Sequence, residues 1–374
     1  MLERASRVRM KKILFIIYTH SLGGGAEKIL TTIVNNLNQK KYEISVLEYA
    51  YYGVKEEKLR TGIKKCNPIV SMKKDGKIKR LFKNGQVFSY SGFLRSRKEK
   101  YDLEISFNYM IPTFLLSKKT PSIAWMHGDV YDLQDKKYYK WLQKKSLQNV
   151  DKIVAISQNT KQSILDVFPE VENKLEVIYN GFDIEEIRKD SEEMCDITLC
   201  NPSILYVGRL EEGKNPLILL DVVRKLKEEN KTIFLYYLGQ GEKDKEIVEK
   251  AERLQIQDQV FLLGYFINPY PIMKQCSALC MMSKSEGFPT VFAEGMALEV
   301  PFISTPVGGV QELSNEGKCG RIVNTVEDCV EAIKQIVFNS NNNKIMKEKC
   351  IEYVPRFDLK TQIRKIENLI DELI

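Results

Sequence analysis

A chain of 374 residues is long for a single hydrophobic core, so two domains are expected. Its 43% hydrophobic and 29% charged residues describe an ordinary globular protein, and no run approaches the roughly 18–20 apolar residues of a membrane-spanning helix. Charge is unevenly divided: the first 190 residues carry 35 Lys and Arg against 22 Asp and Glu, a net of +13, whereas the rest carry 22 against 28, a net of −6. The first half is therefore expected either to face an anionic membrane or nucleic acid or to present a solvated basic face.

At the N-terminus a basic run precedes an apolar stretch, residues 13–18. That stretch is shorter than the roughly 7–15 residues of a signal-peptide core, and no small-residue cleavage site follows it. A buried first strand is the expectation, with Met10 as a candidate start. The glycine turn Gly23-Gly24-Gly25 comes next. Ile29, Leu30, Ile33, Val34 and Leu37 then recur at helical spacing and predict a helix over residues 26–37. Short apolar runs at 42–47, 103–107, 122–126 and 152–156, separated by helical segments, predict a parallel sheet with helices on both faces. Residues 55–100 are basic and poorly periodic.

Residues 190–202 are polar and irregular, and the strand–helix alternation restarts after them with strands at 204–207, 233–238, 260–262, 278–282 and 302–304. Two successive doubly wound α/β units follow, the first over residues 1–190 and the second over 200–352. Ligands of such sheets sit at the carboxyl ends of the strands. Residues 359–374 form an amphipathic helix with Ile363, Ile366, Ile370 and Leu373 on one face, and the segment 355–374 is expected to pack back on the first domain.

The eight cysteines at 66, 195, 200, 276, 280, 319, 329 and 350 include no CxxC pair. They read as small buried hydrophobes in a reducing compartment. His20 and His127 are the only histidines and lie far apart, which argues against a zinc site built on histidine. Asp-x-Asp, the short carboxylate pair that holds a metal on a diphosphate, is absent. No metal ion or other cofactor is expected.

The most informative passage is Ser285-Glu286-Gly287-Phe288-Pro289-Thr290-Val291-Phe292-Ala293-Glu294-Gly295-Met296-Ala297. It follows a strand, turns at Gly287 and enters a helix near Thr290. The Glu286–Glu294 spacing means little alone, since Glu48 and Glu56 share it. Context carries the weight: a strand, a tight turn, Pro289 near the helix start and a glutamate in the first turns. Free N–H groups at a helix N-terminus attract anions, and a glutamate beside them can accept two hydrogen bonds from a sugar diol. A surface helix with an acidic face is the plain alternative.

This passage resembles the E-x7-E signature of the retaining glycosyltransferases of family 4, which have the GT-B fold. Four further segments are similar to the same family, in order along the chain. Gly24-Gly25-Ala26-Glu27 looks like its GGAE loop, and Asn180-Gly181-Phe182-Asp183 like its NGxD run. Val207-Gly208-Arg209-Leu210 with Lys214-Asn215 resembles its VGRL…KN box, and residues 301–312, PFISTPVGGVQE, the segment after the second glutamate. The likeness is strong over 200–325, clear over 11–40 and 120–185, and absent over 55–100.

The resemblance implies two Rossmann-like domains facing across a cleft, and a hexosyl unit transferred from a nucleotide-diphosphate sugar with retention of configuration. It places Arg209 and Lys214 on the diphosphate, Glu286 on hydroxyls of the transferred sugar and Glu294 on the ribose. The backbone of Gly287, Phe288, Pro289, Thr290 and Val291 would line sugar and phosphate, with Gly24 and Gly25 approaching from the first domain. Gly239, in Gly239-Gln240-Gly241-Glu242, is similar to a turn near the base, although a plain turn fits as well. His127 directly follows a strand, and several family members contact the donor sugar with a histidine there; Asp129 beside it falls on the acceptor side. A UDP-sugar donor is favoured by frequency in the family. The acceptor is a saccharide or a polyprenyl-diphosphate-linked saccharide of cell-surface polysaccharide such as capsule.

A second basic cluster, Lys136, Lys137, Lys140, Lys144 and Lys145, combines at helical spacing with Tyr138, Trp141 and Leu142 in a pattern that can rest on anionic lipid. The expected setting is cytoplasmic, at the inner face of the membrane. An epimerase or phosphorylase on the same fold stays open, as does an inert scaffold. A nucleic-acid binder would need aromatics clustered among the basic residues or a named motif, and neither appears beyond isolated tyrosines.

Overall fold

The computed structural model describes residues 9–23, 25–74, 99–108, 110–128, 130–131 and 137–374, the side chains of 137–139 excepted. The chain divides into two compact units, Met1–Tyr179 with Ile363–Ile374, and Asn180–Gln362. Each holds one large parallel sheet.

In the first unit the strands are β1 (Lys11–Ile17), β2 (Tyr42–Glu48), β3 (Ala50–Tyr51), β4 (Lys64–Lys65), β5 (Val70–Ser71), β6 (Leu103–Ser106), β7 (Ser122–Met126), β8 (Lys152–Ala155) and β9 (Leu175–Val177). Seven of them form a sheet in the order β4-β2-β1-β6-β7-β8-β9, and β3 pairs with β5 apart from it. The helices α1 (Gly25–Asn36), α2 (Lys137–Gln148) and α3 (Gln158–Val167) are crossovers of this sheet. β1 reads KKILFII because residues 13–17 are covered on both faces, each at most 1% exposed. Helix α1 buries Leu30, Ile33 and Val34 completely, each such side chain contributing about 2 kcal/mol of burial. Helix α3 starts where the Ser157 hydroxyl accepts the Thr160 N–H at 2.9 Å.

The second unit opens with α4 (Ile184–Asp190), whose N-cap Asp183 accepts the Glu186 N–H. Its strands are β10 (Ser203–Val207), β11 (Phe234–Leu238), β12 (Val260–Gly264), β13 (Ala278–Met281), β14 (Phe302–Ser304) and β15 (Gly320–Ile322). They lie all parallel in the order β12-β11-β10-β13-β14-β15, so the direction of winding reverses between β10 and β13. That reversal is the point where doubly wound sheets bind ligands. Helices α5 (Ile218–Glu228), α6 (Asp244–Arg253), α7 (Tyr270–Met273), α8 (Thr290–Ala297), α9 (Val310–Ser314), α10 (Val326–Ile336) and α11 (Ser340–Tyr353) complete the unit.

Helix α12 (Leu359–Leu373) belongs to the first unit from Ile363 onward. There Ile366, Leu369 and Ile370 are buried, Tyr42 donates its hydroxyl to Asp371 at 2.7 Å, and Lys152 pairs with Glu372 at 2.9 Å. The fold class is the expected one, two doubly wound parallel sheets, and every strand read from the sequence is present with ends shifted by a residue or two. The units part at Tyr179 rather than near residue 190. Helix α4 sides with the second unit because Ile184 and Ile187 are buried there and Arg188 donates to the Ala297 carbonyl at 3.0 Å. Of the cysteines, five are buried, Cys66 and Cys195 are half-buried and Cys200 is exposed, so the expectation of uniform burial fails at three positions.

Candidate active site

Four loops meet at the carboxyl edge of the second sheet, and glycines decide how closely they pack. Gly208 leaves β10 at φ +154° and donates to the Leu238 carbonyl, while Leu210 donates to that of Gln240. A Cβ on Gly239, at φ +150°, would lie 1.9 Å from the Gly208 carbonyl oxygen, and one on Gly241 2.2 Å from that of Leu210. Any side chain at either position would force the β10 and β11 loops apart. Packing alone thus accounts for the glycine at 239, the residue the sequence placed near the base.

This seam fixes Arg209, whose carbonyl accepts the Tyr206 hydroxyl at 2.7 Å while its guanidinium reaches Glu211 at 2.8 Å. The Arg209 side chain is 74% exposed, hence available to an anion. A 3₁₀ turn at Glu212–Lys214 then brings Lys214 toward the loop that follows β13. Its ammonium donates to Glu286 Oε2 at 2.5 Å, and Ser283 donates its hydroxyl to Glu286 Oε1 at 2.9 Å. Backbone ties hold the two loops in register, since the Lys284 N–H donates to the Gly213 carbonyl at 3.0 Å and the Asn215 amide to that of Met282 at 3.2 Å. Burial, then the charge of Glu286, pushes the Tyr206 phenol up, so this neutral hydroxyl lies close to both Arg209 and the glutamate.

Below Glu286 the chain turns through Gly287 and Phe288 into α8. Pro289 occupies its N-cap with no side chain capping the first turn, which leaves N–H dipoles aimed outward. Gly308, at φ +49°, passes so near that a Cβ there would sit 2.3 Å from the Gly287 carbonyl oxygen. Thr305 donates to the Ser283 carbonyl at 2.6 Å. The Phe288 ring packs on Phe182 and Phe357, at 6.4 and 5.8 Å between centroids, which turns its side chain toward those rings. Thr290 and Val291 form the first residues of α8. Glu294 follows, half-buried, and its charge, after burial, helps push the Tyr270 phenol well above its ordinary range.

On the first sheet the β1–α1 loop is held from beneath. Glu27 Oε2 accepts the N–H groups of Leu22 and Gly23 at 3.2 and 2.7 Å, and the buried Glu48 accepts the His20 N–H and the Ser21 hydroxyl at 3.0 and 2.9 Å. Gly25 begins α1, and a Cβ there would meet nothing within 4 Å; Gly24 lies outside the described residues. His127 follows the last residue of β7, at the carboxyl edge as expected. Its ring lies 4.6 Å from that of Phe107, whose backbone takes a ring hydrogen bond, and Nε2 is buried without a partner. Burial holds this imidazole down at about 4, so it is neutral at neutral pH. Asp129 and Lys136 lie outside the described residues, as do the side chains of Lys137 and Tyr138.

The second unit therefore gathers Arg209, Lys214, Glu286, the 287–291 backbone and Glu294 at one sheet edge, while Gly25 and His127 stand at the corresponding edge of the first. Ser283, Thr305, Tyr206, Glu27 and Glu48 are supporting residues that the sequence did not single out for these roles. Glu27 and Thr305 fall within segments the sequence had picked out, and Ser283, three residues before Glu286 at the end of an apolar run, also left a local signal. Among the described residues, no three His, Cys, Asp or Glu side chains converge as a metal site would require.

Comparison with known proteins agrees with this geometry. Residues 23–186 match the profile described as Glycosyltransferase Family 4, and residues 196–356 that of Glycosyl transferases group 1. A Campylobacter jejuni N-acetylgalactosamine-N,N'-diacetylbacillosaminyl-diphospho-undecaprenol 4-alpha-N-acetylgalactosaminyltransferase is 26% identical over 362 residues, covering 91% of this chain and 95% of the relative. Among solved structures, Anabaena HepE in complex with UDP superposes with a TM-score of 0.73 at 18% identity, over 96% of this chain and all of that one. The lipopolysaccharide outer core galactosyltransferase WaaB does so at 0.75 and 18%, over 97% of this chain and all of that one. With both units matched, in this order and on this fold, the chain belongs to the family 4 glycosyltransferases of the GT-B type.

Proposed function

We propose that this glycosyltransferase moves a hexosyl unit from a UDP-sugar to a saccharide or polyprenyl-diphosphate-linked saccharide, with retention of configuration and without a metal ion. The observation that carries the reading is the Lys214–Glu286 pair at 2.5 Å, placed at the winding reversal between β10 and β13 with the exposed Arg209 beside it. Two fixed cations and an uncapped helix start suit a diphosphate that gains charge as it leaves. One such preorganised group is worth about 3 kcal/mol in the transition state.

In the proposed step the acceptor oxygen bonds to the anomeric carbon on the face from which the phosphate departs. The electron pair of the broken C–O bond stays on the departing phosphate oxygen, and that oxygen takes the acceptor's proton. Glycoside and protonated UDP result, and no protein base is needed. Glu286 retains acceptor capacity for sugar hydroxyls beyond its bonds to Lys214 and Ser283. Neutral His127, with Nε2 unpartnered, suits a hydroxyl of the same sugar, and Glu294 suits the ribose.

The UDP bound to HepE and the undecaprenol-linked substrate named for the Campylobacter relative support the donor and acceptor classes. A role in cell-surface polysaccharide synthesis, in the cytoplasm at the inner membrane face, completes the reading. The test is transfer of labelled sugar from a panel of UDP-, GDP- and ADP-sugars in the presence of a chelator. Transfer or slow hydrolysis from a UDP-sugar with α-linked product is expected. Isomerised sugar released without acceptor would instead identify an epimerase.

A further inference from the structure

Glu212 lies in sequence between the two cations of the site, Arg209 and Lys214, and its carboxylate turns to two other lysines. It opens the 3₁₀ turn that carries Lys214. The Lys284 ammonium donates to its Oε1, and that of Lys243 pairs with its Oε2 at 3.2 Å. Its own N–H donates to Glu242 Oε1 at 3.4 Å. Lys284 stands in the loop between β13 and α8, directly after Ser283 and two residues before Glu286, and Lys243 stands in the loop between β11 and α6. One side chain therefore ties together the loops that follow β10, β11 and β13.

Both lysines are fixed at the backbone before they reach it. The Lys284 N–H donates to the Gly213 carbonyl and the Lys243 N–H to that of Leu210, each at 3.0 Å. Isolated surface ion pairs contribute little, because two long side chains must be ordered for one contact. Here the main chains are already held and a single carboxylate serves both cations, so less freedom is lost. Hydrogen bonds from Lys284 first, then Lys243, hold the Glu212 carboxyl below the ordinary carboxylate range, so it is charged at neutral pH.

The turn needs such a tether. Its middle residue is Gly213, where a Cβ would meet nothing within 4 Å and φ lies outside the left-handed region. Neither packing nor φ requires glycine there, and glycine leaves a backbone freer than any other residue does. The Asn215 amide, donating to the Met282 carbonyl, anchors the far end of the turn. Glu212 anchors the near end, and Lys214 lies between the two.

We propose that Glu212 is a positioning residue, which by stapling three loops holds the turn so that the Lys214 ammonium stays where the diphosphate departs. This rests on the role given above to Lys214. The sign of the effect separates positioning from plain electrostatics. Glu212 is an anion close to two cations that serve a phosphate, so charge alone predicts that its removal speeds turnover. A lost staple predicts the opposite.

The test is kcat for UDP release at saturating donor, at low and high salt, together with Tm. The proteins are the wild type, Glu212→Gln, Glu212→Gln with Gly213→Ala, and Lys214→Met. Glu212→Gln should lower kcat about tenfold at low salt through misplacement of the ammonium. Its Tm should barely move, because the pairs are exposed. High salt screens such pairs and should bring the wild type down toward the variant, which itself changes little. Alanine at 213 stiffens the turn and should recover most of the loss. Unchanged or faster turnover by Glu212→Gln would overturn the proposal, as would a loss that tracks a fall in Tm and is not relieved by Gly213→Ala. If Lys214→Met is slow while Glu212→Gln is normal, the staple alone fails. If both are normal, the role of the ammonium falls with it.

Discussion

Replacing Lys214 by Met keeps most of the side-chain volume and deletes its charge. Lys214 and Glu286 are 22% and 11% exposed, and the stranded carboxylate would keep the 2.9 Å bond from Ser283. Removing one partner of a fully buried pair costs about 3–5 kcal/mol; the residual exposure and the Ser283 bond reduce this to about 1–2 kcal/mol. For a unit of this size that lowers Tm by about 2–8 °C. The kinetic effect should be far larger, a loss of about 10²–10³ in kcat, because the cation acts on charge that develops only in the transition state. Adding Glu286→Gln removes the stranded charge, so Tm should recover while kcat does not. Thermal unfolding and continuous UDP release under saturating donor read the two effects separately. Near-normal turnover in the folded Lys214→Met protein would refute the role given to this ammonium, and so would a loss confined to KM.

Other perturbations follow from the same geometry. His127 is held at about 4 against an ordinary 6.5, so between those values the unfolded chain binds a proton that the folded protein refuses. Its effect on stability is nil above pH 6.5 and grows unfavourable as pH falls toward 4, reaching about 3 kcal/mol; His127→Gln should flatten that part of the urea-unfolding profile. Gly239→Ala places a Cβ 1.9 Å from the Gly208 carbonyl and should sharply lower Tm. Gly25→Ala meets nothing within 4 Å and should keep Tm while raising the donor KM. Glu294→Gln keeps shape and loses charge, and with a charged hydrogen bond worth about 1.5–3 kcal/mol its donor KM should rise about ten- to a hundredfold.

The strands were legible because parallel strands covered on both faces are written as unbroken apolar runs, as in 13–17 and 204–207. Three-residue strands such as β9 and β15 carry too few apolar positions to announce themselves. In the site, Glu286 and Arg209 could be found because turn glycines and strand ends surround them. Their supports were harder to read, since Ser283 and Tyr206 bond the Glu286 carboxylate and the Arg209 carbonyl three residues on, Thr305 reaches the Ser283 carbonyl from a separate loop, and a lone Ser, Thr or Tyr carries no pattern. Gly239 shows the converse: its glycine was visible, but only the approach of the Gly208 carbonyl reveals why glycine is required. Helix α4 was assigned to the wrong side of the division because its apolar residues, Ile184 and Ile187, fit either neighbour until the Arg188–Ala297 bond is seen.

Calorimetric titration of UDP into the wild-type and Lys214→Met proteins, with a chelator present throughout, probes the diphosphate site most directly. Saturable one-to-one heat is predicted for the wild type and at least a tenfold weaker isotherm for the variant, as expected for roughly 1.5 kcal/mol from a charged contact. Equal isotherms for both proteins, or no heat until a divalent metal is supplied, would contradict it.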